Sequence, residues 1–260
     1  MGILNVTPDS FYDGGKHISL NFALKQCEKM IDDGADIIDI GGQSTRPGSK
    51  PISEEEELSR VIPIIEQVLL RYPDIYISID TNKAKVASYA VKAGACIVND
   101  ISAGDDDEAM IETVATLNVP YIFMHKQGSP EYMQLNPTYK DVVYDVFDYL
   151  NTKKSIFQKR GIADVIADVG FGFGKTIEHN YSLAAHIDKF KMLNCPILIG
   201  VSRKGMIYKT LHTSAEDALI GTNVLHALLI NKIPAILRVH DVKEAKQTIK
   251  IIEKYNLGKE

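Results

Sequence analysis

Polar and ionisable residues recur where apolar runs stop. Asn5 follows GIL, Gly41-Gly42-Gln43-Ser44-Thr45-Arg46 follows DIIDI, Asp80 ends IYISID, and Asn99 with Asp100 ends CIVND. His125 ends YIFMH, Asp168 falls in VIADV, Ser202-Arg203-Lys204 follows PILIGV, and Arg238 and His240 lie in AILRVH. Any one of these reads as a cap or a turn residue. A whole ring of them needs partners or a ligand, because an unpaired buried polar group costs free energy. The ring sorts by chemistry. Arg46, Arg238 and His240 suit an anion. Asp80 and Asp168, with the Asn99 amide, suit a neutral heterocycle that carries donors and acceptors. A carboxylate can accept two parallel N–H bonds from an amidine-like ring edge. Lys204 can donate to a ring carbonyl or ring nitrogen. The set predicts a site for a polar bicyclic ring on one side and a phosphate-like group on the other.

Such a ring must be held by the runs that precede it. These span residues 2–5, 36–40, 75–80, 96–100, 121–125, 165–169, 196–201 and 235–240. Each is nearly continuous in Val, Ile and Leu, the pattern of strands buried on both faces. Helical patterns fill the gaps: SLNFALKQCEKMIDDG, a run from Ser53 through LSRVIPIIEQVLLRY, NKAKVASYAVKAG, DVVYDVFDYLNTKKSIFQKRG, AEDALIGTNVLHALLI and HDVKEAKQTIKIIEKY. Ser53 with Glu56 predicts a capping box. Gly34 and Gly94 predict left-handed helix stops. Strands alternating with helices over about 250 residues predict an α/β fold, a (β/α)8 TIM barrel. A doubly wound open sheet uses the same alternation. No linker or low-complexity stretch divides residues 1–260, so one domain is expected. In a barrel, the C-terminal strand ends carry the chemistry.

Composition narrows the classes. A net charge of −5 gives no support to general nucleic-acid binding. Cys27, Cys96 and Cys195 lie far apart and read as buried thiols in a reducing compartment. No signal peptide is read, since the start turns polar within a few residues. ALIGTNVLHALLINKIPAIL is broken by Asn223, His226, Asn231, Lys232 and Pro234, so it reads as a buried helix leading into a strand, not a membrane span. A soluble, cytoplasmic chain is expected. DVGFGFGKT is not a phosphate loop, because Val169 stands where the pattern requires Gly. Its glycines read as letting the backbone approach a flat ligand beside Phe171 and Phe173, or as a tight turn with core Phe residues. Lys204 beside Arg203 leaves a Schiff-base aldolase as an alternative. The His residues are scattered and form no HExxH pair. Asn5 can still offer one oxygen to Mg2+, with water and phosphate completing the shell, or it caps a strand.

The motifs GILNVTPDSFYDGG, GGQSTRPGS, SIDT, NDIS, DVGFGFGK, GVSRKG and RVHDV, in that order, resemble the dihydropteroate synthase family over essentially the whole chain. The resemblance implies a pterin-binding barrel, usually a homodimer. It implies condensation of p-aminobenzoate with (7,8-dihydropterin-6-yl)methyl diphosphate, giving 7,8-dihydropteroate and diphosphate in folate biosynthesis. It further implies that Asn5 binds Mg2+ on the diphosphate. Asp80, Asn99, Asp168 and Lys204 hold the pterin ring, and Arg238 and His240 bind the diphosphate. By the same resemblance Asp168, Lys204, Arg238 and His240 would carry the catalytic roles. The resemblance also implies that Thr45 and Arg46 would lie on a second loop over p-aminobenzoate and the diphosphate, and that Phe173 would help to seat p-aminobenzoate. Asp13 belongs to a first loop, for which Gly14-Gly15 suit a hinge. The chain departs from the family pattern at Val169, where Pro is common, at Gly205, where Ser is common, and at Lys126, where Met is frequent. Gly205 removes a hydroxyl from the p-aminobenzoate side and leaves the backbone N–H. The same barrel also serves corrinoid methyltransferases, which have no diphosphate to bind, and a non-catalytic pterin-binding protein is a further alternative.

Overall fold

Short strands run parallel in chain order, each hydrogen-bonded to the next: β1 (Gly2–Asn5), β2 (Ile37–Gly41), β3 (Tyr76–Asp80), β4 (Ile97–Asp100), β5 (Tyr121–Met124), β6 (Val165–Asp168), β7 (Ile197–Ile199) and β8 (Ala235–Leu237). The computed structural model describes residues 1–6, 16–43, 51–128, 132–133 and 136–258. The last strand returns to the first. Ile3 N–H donates to Val239 O at 2.9 Å, and Val239 N–H donates to Met1 O at 2.9 Å. An open doubly wound sheet keeps two free edges; this one has closed into a barrel, as expected.

Most strand positions are buried on both sides. Outward-facing Leu4, Ile38, Ile40, Ile77, Ile79, Val98 and Phe123 pack under the helices. Those helices are α1 (Lys16–Asp32), α2 (Glu54–Arg71), α3 (Ala84–Lys92), α4 (Met110–Leu117), α5 (Val142–Lys159), α6 (Ile177–Ala185), α7 (Gly205–Thr210), α8 (Leu219–Ile230) and α9 (Val242–Leu257). Each such apolar side chain contributes roughly 1.5–3 kcal/mol on burial. A 3-10 helix, Ile187–Leu193, precedes β7.

Local signals act largely as read. Gly34 and Gly94 take φ of +94° and +112° just past α1 and α3. Ser53 Oγ accepts the Glu56 N–H at 3.1 Å and caps α2. The Glu56 carboxylate pairs with Arg60 instead of the cap backbone, so only half of the expected box forms. α8 begins at Leu219, not at Ala215, because residues 215–218 turn before the helix starts. Of the three thiols only Cys27 is fully buried; Cys96 and Cys195 are partly exposed, and all three are free. Among the described residues, no helix is long and apolar enough to cross a membrane.

Strand side chains alternate between faces. Inside the barrel, Met1, Ile97, Ile122, Ile166 and Leu198 form an apolar plug, with Ile37 and Ile236 packed against it. Two residues further along the same strands, the inward positions become Asn99, Met124, Asp168, Gly200 and Arg238. The register pairs Asn5 with Gly41, Gly41 with Asp80, and Asp80 with Asn99. A polar level therefore sits directly above the plug.

Candidate active site

Arg238 is the electrostatic centre of that level. Its Nε donates to Asp39 Oδ2 at 2.6 Å, and its Nη2 donates to Asp80 Oδ2 at 2.6 Å. Asn99 Nδ2 donates to the same Asp39 oxygen at 3.0 Å. Asp39 is fully buried, and its Oδ1 has no hydrogen-bond partner. Burial works against the Arg238 charge, but Asp39 and Asp80 outweigh it and hold the guanidinium above its usual range. Burial pushes the Asp80 carboxyl up, against the pull of Arg238.

Asp168 and Lys204 form the second half. Asp168 Oδ1 accepts the Gly170 N–H at 2.8 Å. Its Oδ2 and Lys204 Nζ lie 3.9 and 3.8 Å from where a Cβ on Gly200 would stand. The glycine leaves room between an acceptor and a donor. Lys204 Nζ bonds to Phe171 O and sits 4.6 Å from the centroid of the Phe173 ring, a cation–π distance. Burial lowers Lys204 to about 8, with Asp168 pulling the other way. Burial raises Asp168, opposed by Lys204 and the Gly170 N–H. A flat ligand bringing N–H groups to Asp168 and Asp39 and an acceptor to Lys204 matches this arrangement.

Asn5 lies at the rim. A Cβ at Gly41 would stand 3.6 Å from Asn5 Oδ1 and 3.5 Å from Asp80 Oδ2, so the glycine keeps the space beside both oxygens open. Among the described residues, His, Cys, Asp and Glu form no metal-binding cluster. His240 is exposed, with its Nδ1 3.1 Å from Ser202 Oγ, and Ser202 Oγ also accepts the His240 N–H at 3.2 Å. Thr45, Arg46 and Asp13 lie outside the described residues.

Three strand-end residues leave the ring. Asp100 points to the helix side, where its carboxylate accepts from Ser102 N–H and Oγ at 2.7 Å and from Tyr121 OH at 2.7 Å. It braces the turn into α4. His125 lies 3.0 Å from Lys175 Nζ and is held neutral by burial, with its pKa near 3. Arg203 makes a two-bond contact with Asp241, at 2.8 and 2.9 Å, and is not a charge beside Lys204. The cation acting on Lys204 is Arg238, which removes the support for an Arg203-activated Schiff-base lysine. Of the two readings of the glycine turn, the structure favours the tight turn, with Phe171 in the core. A Cβ at Gly170 would stand 1.9 Å from His125 O, and one at Gly174 2.2 Å from Gln127 O. Those glycines let the turn lie against the end of β5, not against a ligand; Gly172 alone faces the site, 3.3 Å from Lys204 Cδ. The departures have local partners: Lys126 pairs with Asp106, Val169 is buried, and Gly205 opens α7.

Asp39 was not singled out from sequence. Its signal was an acid in an otherwise apolar strand, at the inward parity shared with Gly41.

Comparison with known proteins agrees with this geometry. Residues 1–240 match the model of the pterin binding enzyme family. The dihydropteroate synthase of Escherichia coli strain K12 is 44% identical over 255 residues, covering 97% of this chain and 90% of that protein. The chain belongs to the dihydropteroate synthase family. Solved members of this family share the fold. The Yersinia pestis dihydropteroate synthase in a sulfonamide drug complex superposes with a TM-score of 0.92 at 40% identity, covering 98% of this chain and 93% of that one. The Xanthomonas albilineans dihydropteroate synthase with 4-aminobenzoic acid gives a TM-score of 0.92 at 37% identity, covering 98% and 92%. Dihydropteroate synthases are transferases, and the chain is an enzyme of that class.

Proposed function

We propose that the chain joins p-aminobenzoate to (7,8-dihydropterin-6-yl)methyl diphosphate, releasing diphosphate and forming 7,8-dihydropteroate for folate synthesis. The observation that carries this reading is the facing pair of Asp168 and Lys204 across Gly200, beside the Asp39–Arg238–Asp80 network. Asp168 takes ring-edge N–H groups, Lys204 donates to a ring acceptor, and Asn99, Asp39 and Asp80 supply further polar contacts. Phe173 stands beside Lys204 as an apolar wall for p-aminobenzoate, and Thr45 and Arg46 are assigned to the same substrate by the family resemblance alone. Asp13 is assigned to substrate binding by the family resemblance alone.

Breaking the C–O bond puts negative charge on the leaving diphosphate, and fixed positive groups stabilise such charge. Arg238 and His240 act here. The ring carboxylates favour positive charge on the methylene carbon, so a dissociative, SN1-like substitution follows. The arylamine is neutral at pH 7, so no strong general base is required. The Asn5 amide oxygen, open beside Gly41, would be the chain's own ligand to Mg2+, a hard cation that takes oxygen donors. Mg2+ held there would supply charge neutralisation to the leaving diphosphate.

The test is diphosphate release from the pterin diphosphate with Mg2+, with and without p-aminobenzoate. Release that depends on p-aminobenzoate and is lost in Asp168→Ala and Lys204→Ala supports the reading. Tight pterin binding without release overturns it in favour of a binding protein.

The working unit is a homodimer in this reading. α8 turns Ile220, Val224 and Leu228 outward, 79%, 54% and 57% exposed, at i, i+4 and i+8. A stripe of that kind on a soluble surface marks a contact face. Val224→Glu should convert a dimer to a monomer in sedimentation; a wild-type monomer sinks the assignment.

A further inference from the structure

Lys175 ends the FGFGK run but has no role in the chemistry above. Its side chain is 2% exposed. Its Nζ donates to the carbonyls of Gly170, Phe173 and His125 at 2.9, 3.1 and 3.3 Å, and lies 3.0 Å from His125 Nδ1. A lysine ammonium has three donors and no acceptor. The three carbonyls accept, and the neutral His125 ring accepts at Nδ1 when its proton is on Nε2. Burial lowers Lys175 to about 7, with Asp168 pulling the other way; in its charged form every N–H has an acceptor, and the group ties β5 to the turn that follows β6.

That turn has two sides. Lys175 gathers the carbonyls on its inner side. On the outer side, Phe171 O accepts from Lys204, and the Phe173 ring faces the same ammonium. The Gly170 N–H reaches Asp168 Oδ1 from the same segment. One lysine thus holds from behind the turn against which another lysine is aimed. We propose that Lys175 is a positioning residue: its ammonium fixes the 170–173 turn so that Lys204 and Asp168 face one another across Gly200. This rests on the pterin-site reading for its consequence in binding, though not for its geometry.

The experiment compares wild type with Lys175→Met, which keeps the apolar body and removes the charge. Two readouts are taken on folded protein, checked by circular dichroism. Calorimetry with a dihydropterin should show affinity reduced about tenfold or more. Trace labelling with acetic anhydride, read by mass spectrometry, should show the rate at Lys204 changed at least about threefold relative to exposed Lys29, as a lost hydrogen bond would allow. In Lys175→Ala, ethylammonium should restore dihydropterin affinity and ethanol should not. Labelling needs no ligand, so a changed Lys204 rate with no dihydropterin binding by wild type would overturn the function reading alone. A folded variant with both readouts within about twofold of wild type overturns the positioning role. So does loss of the fold in both variants, because Lys175 would then anchor the fold and not the site.

Discussion

At the scale of single residues, Arg238 carries two tasks that one substitution cannot separate. It is a cation in the proposed site, and it is also the counter-ion of Asp39 and Asp80. Removing one member of a buried ion network strands the others, typically at 3–5 kcal/mol. Arg238→Met should therefore lower the unfolding free energy by about 3 kcal/mol in a urea titration. Arg238→Met with Asp39→Asn should recover part of that loss and none of the turnover. Equal stability of the two variants would show that Asp39 does not depend on Arg238. Much of this level was legible in the sequence, because Asn99, Asp80, Asp168, Lys204 and Arg238 each sit where an apolar run ends. Asp39 was hidden inside its run. Asp100 and Arg203 misled for a different reason: strand parity and turn direction decide which way a terminal residue points, and a one-residue offset reverses the face.

At the scale of elements, strand and helix order was legible because burial on both faces leaves a strong apolar signal. α4, α6 and α7, of eight, nine and six residues, carry few periods, and they lack the glycine stop that marks α3, which is also nine residues long. The turn after β6 was seen as glycine-rich, but what the glycines approach is a matter of tertiary packing. That distinction predicts opposite effects for neighbouring positions. Gly170→Ala drives a methyl into His125 O at a φ of +70° and should cost several kcal/mol, roughly the scale of a strained overpacked site. Gly172→Ala meets the flexible Lys204 stem at 3.3 Å. It should cost about 1 kcal/mol for its left-handed φ but displace Lys204 and weaken dihydropterin binding further than its stability loss. Thermal melts paired with binding isotherms distinguish the two; a Gly172→Ala variant with normal affinity would contradict the placement of Lys204.

For the whole molecule, α8 explains why the most apolar stretch of the chain is neither a membrane span nor an ordinary amphipathic helix. Its inner face buries Thr222, Leu225, His226 and Leu229, and its outer face is apolar too. His226 has both ring nitrogens buried without partners, and burial lowers its pKa to about 4. The folded state thus refuses a proton that the unfolded chain accepts near pH 6.5. For a depressed pKa the contribution is present above the unfolded value and lost as pH falls toward the folded one. The stability gap between His226→Leu and wild type should widen in favour of the variant by about 1.4 kcal/mol per pH unit between about 6.5 and 4. Chemical denaturation at several pH values measures it, and a pH-independent gap would refute the burial argument. The plug of Met1, Ile97, Ile122, Ile166 and Leu198 has a wider consequence. Among the described residues it closes the barrel below the polar level, so a molecule reaches that level from the C-terminal ends of the strands. A guest seated at the level of Asp168 must arrive ahead of anything stacked above it and depart after it. In the proposed condensation, this imposes a compulsory queue: pterin first, arylamine second, diphosphate out past both, and the joined product last. Dihydropteroate would then compete with the pterin diphosphate and not with p-aminobenzoate, and traffic through that end of the barrel would govern turnover as much as bond making does.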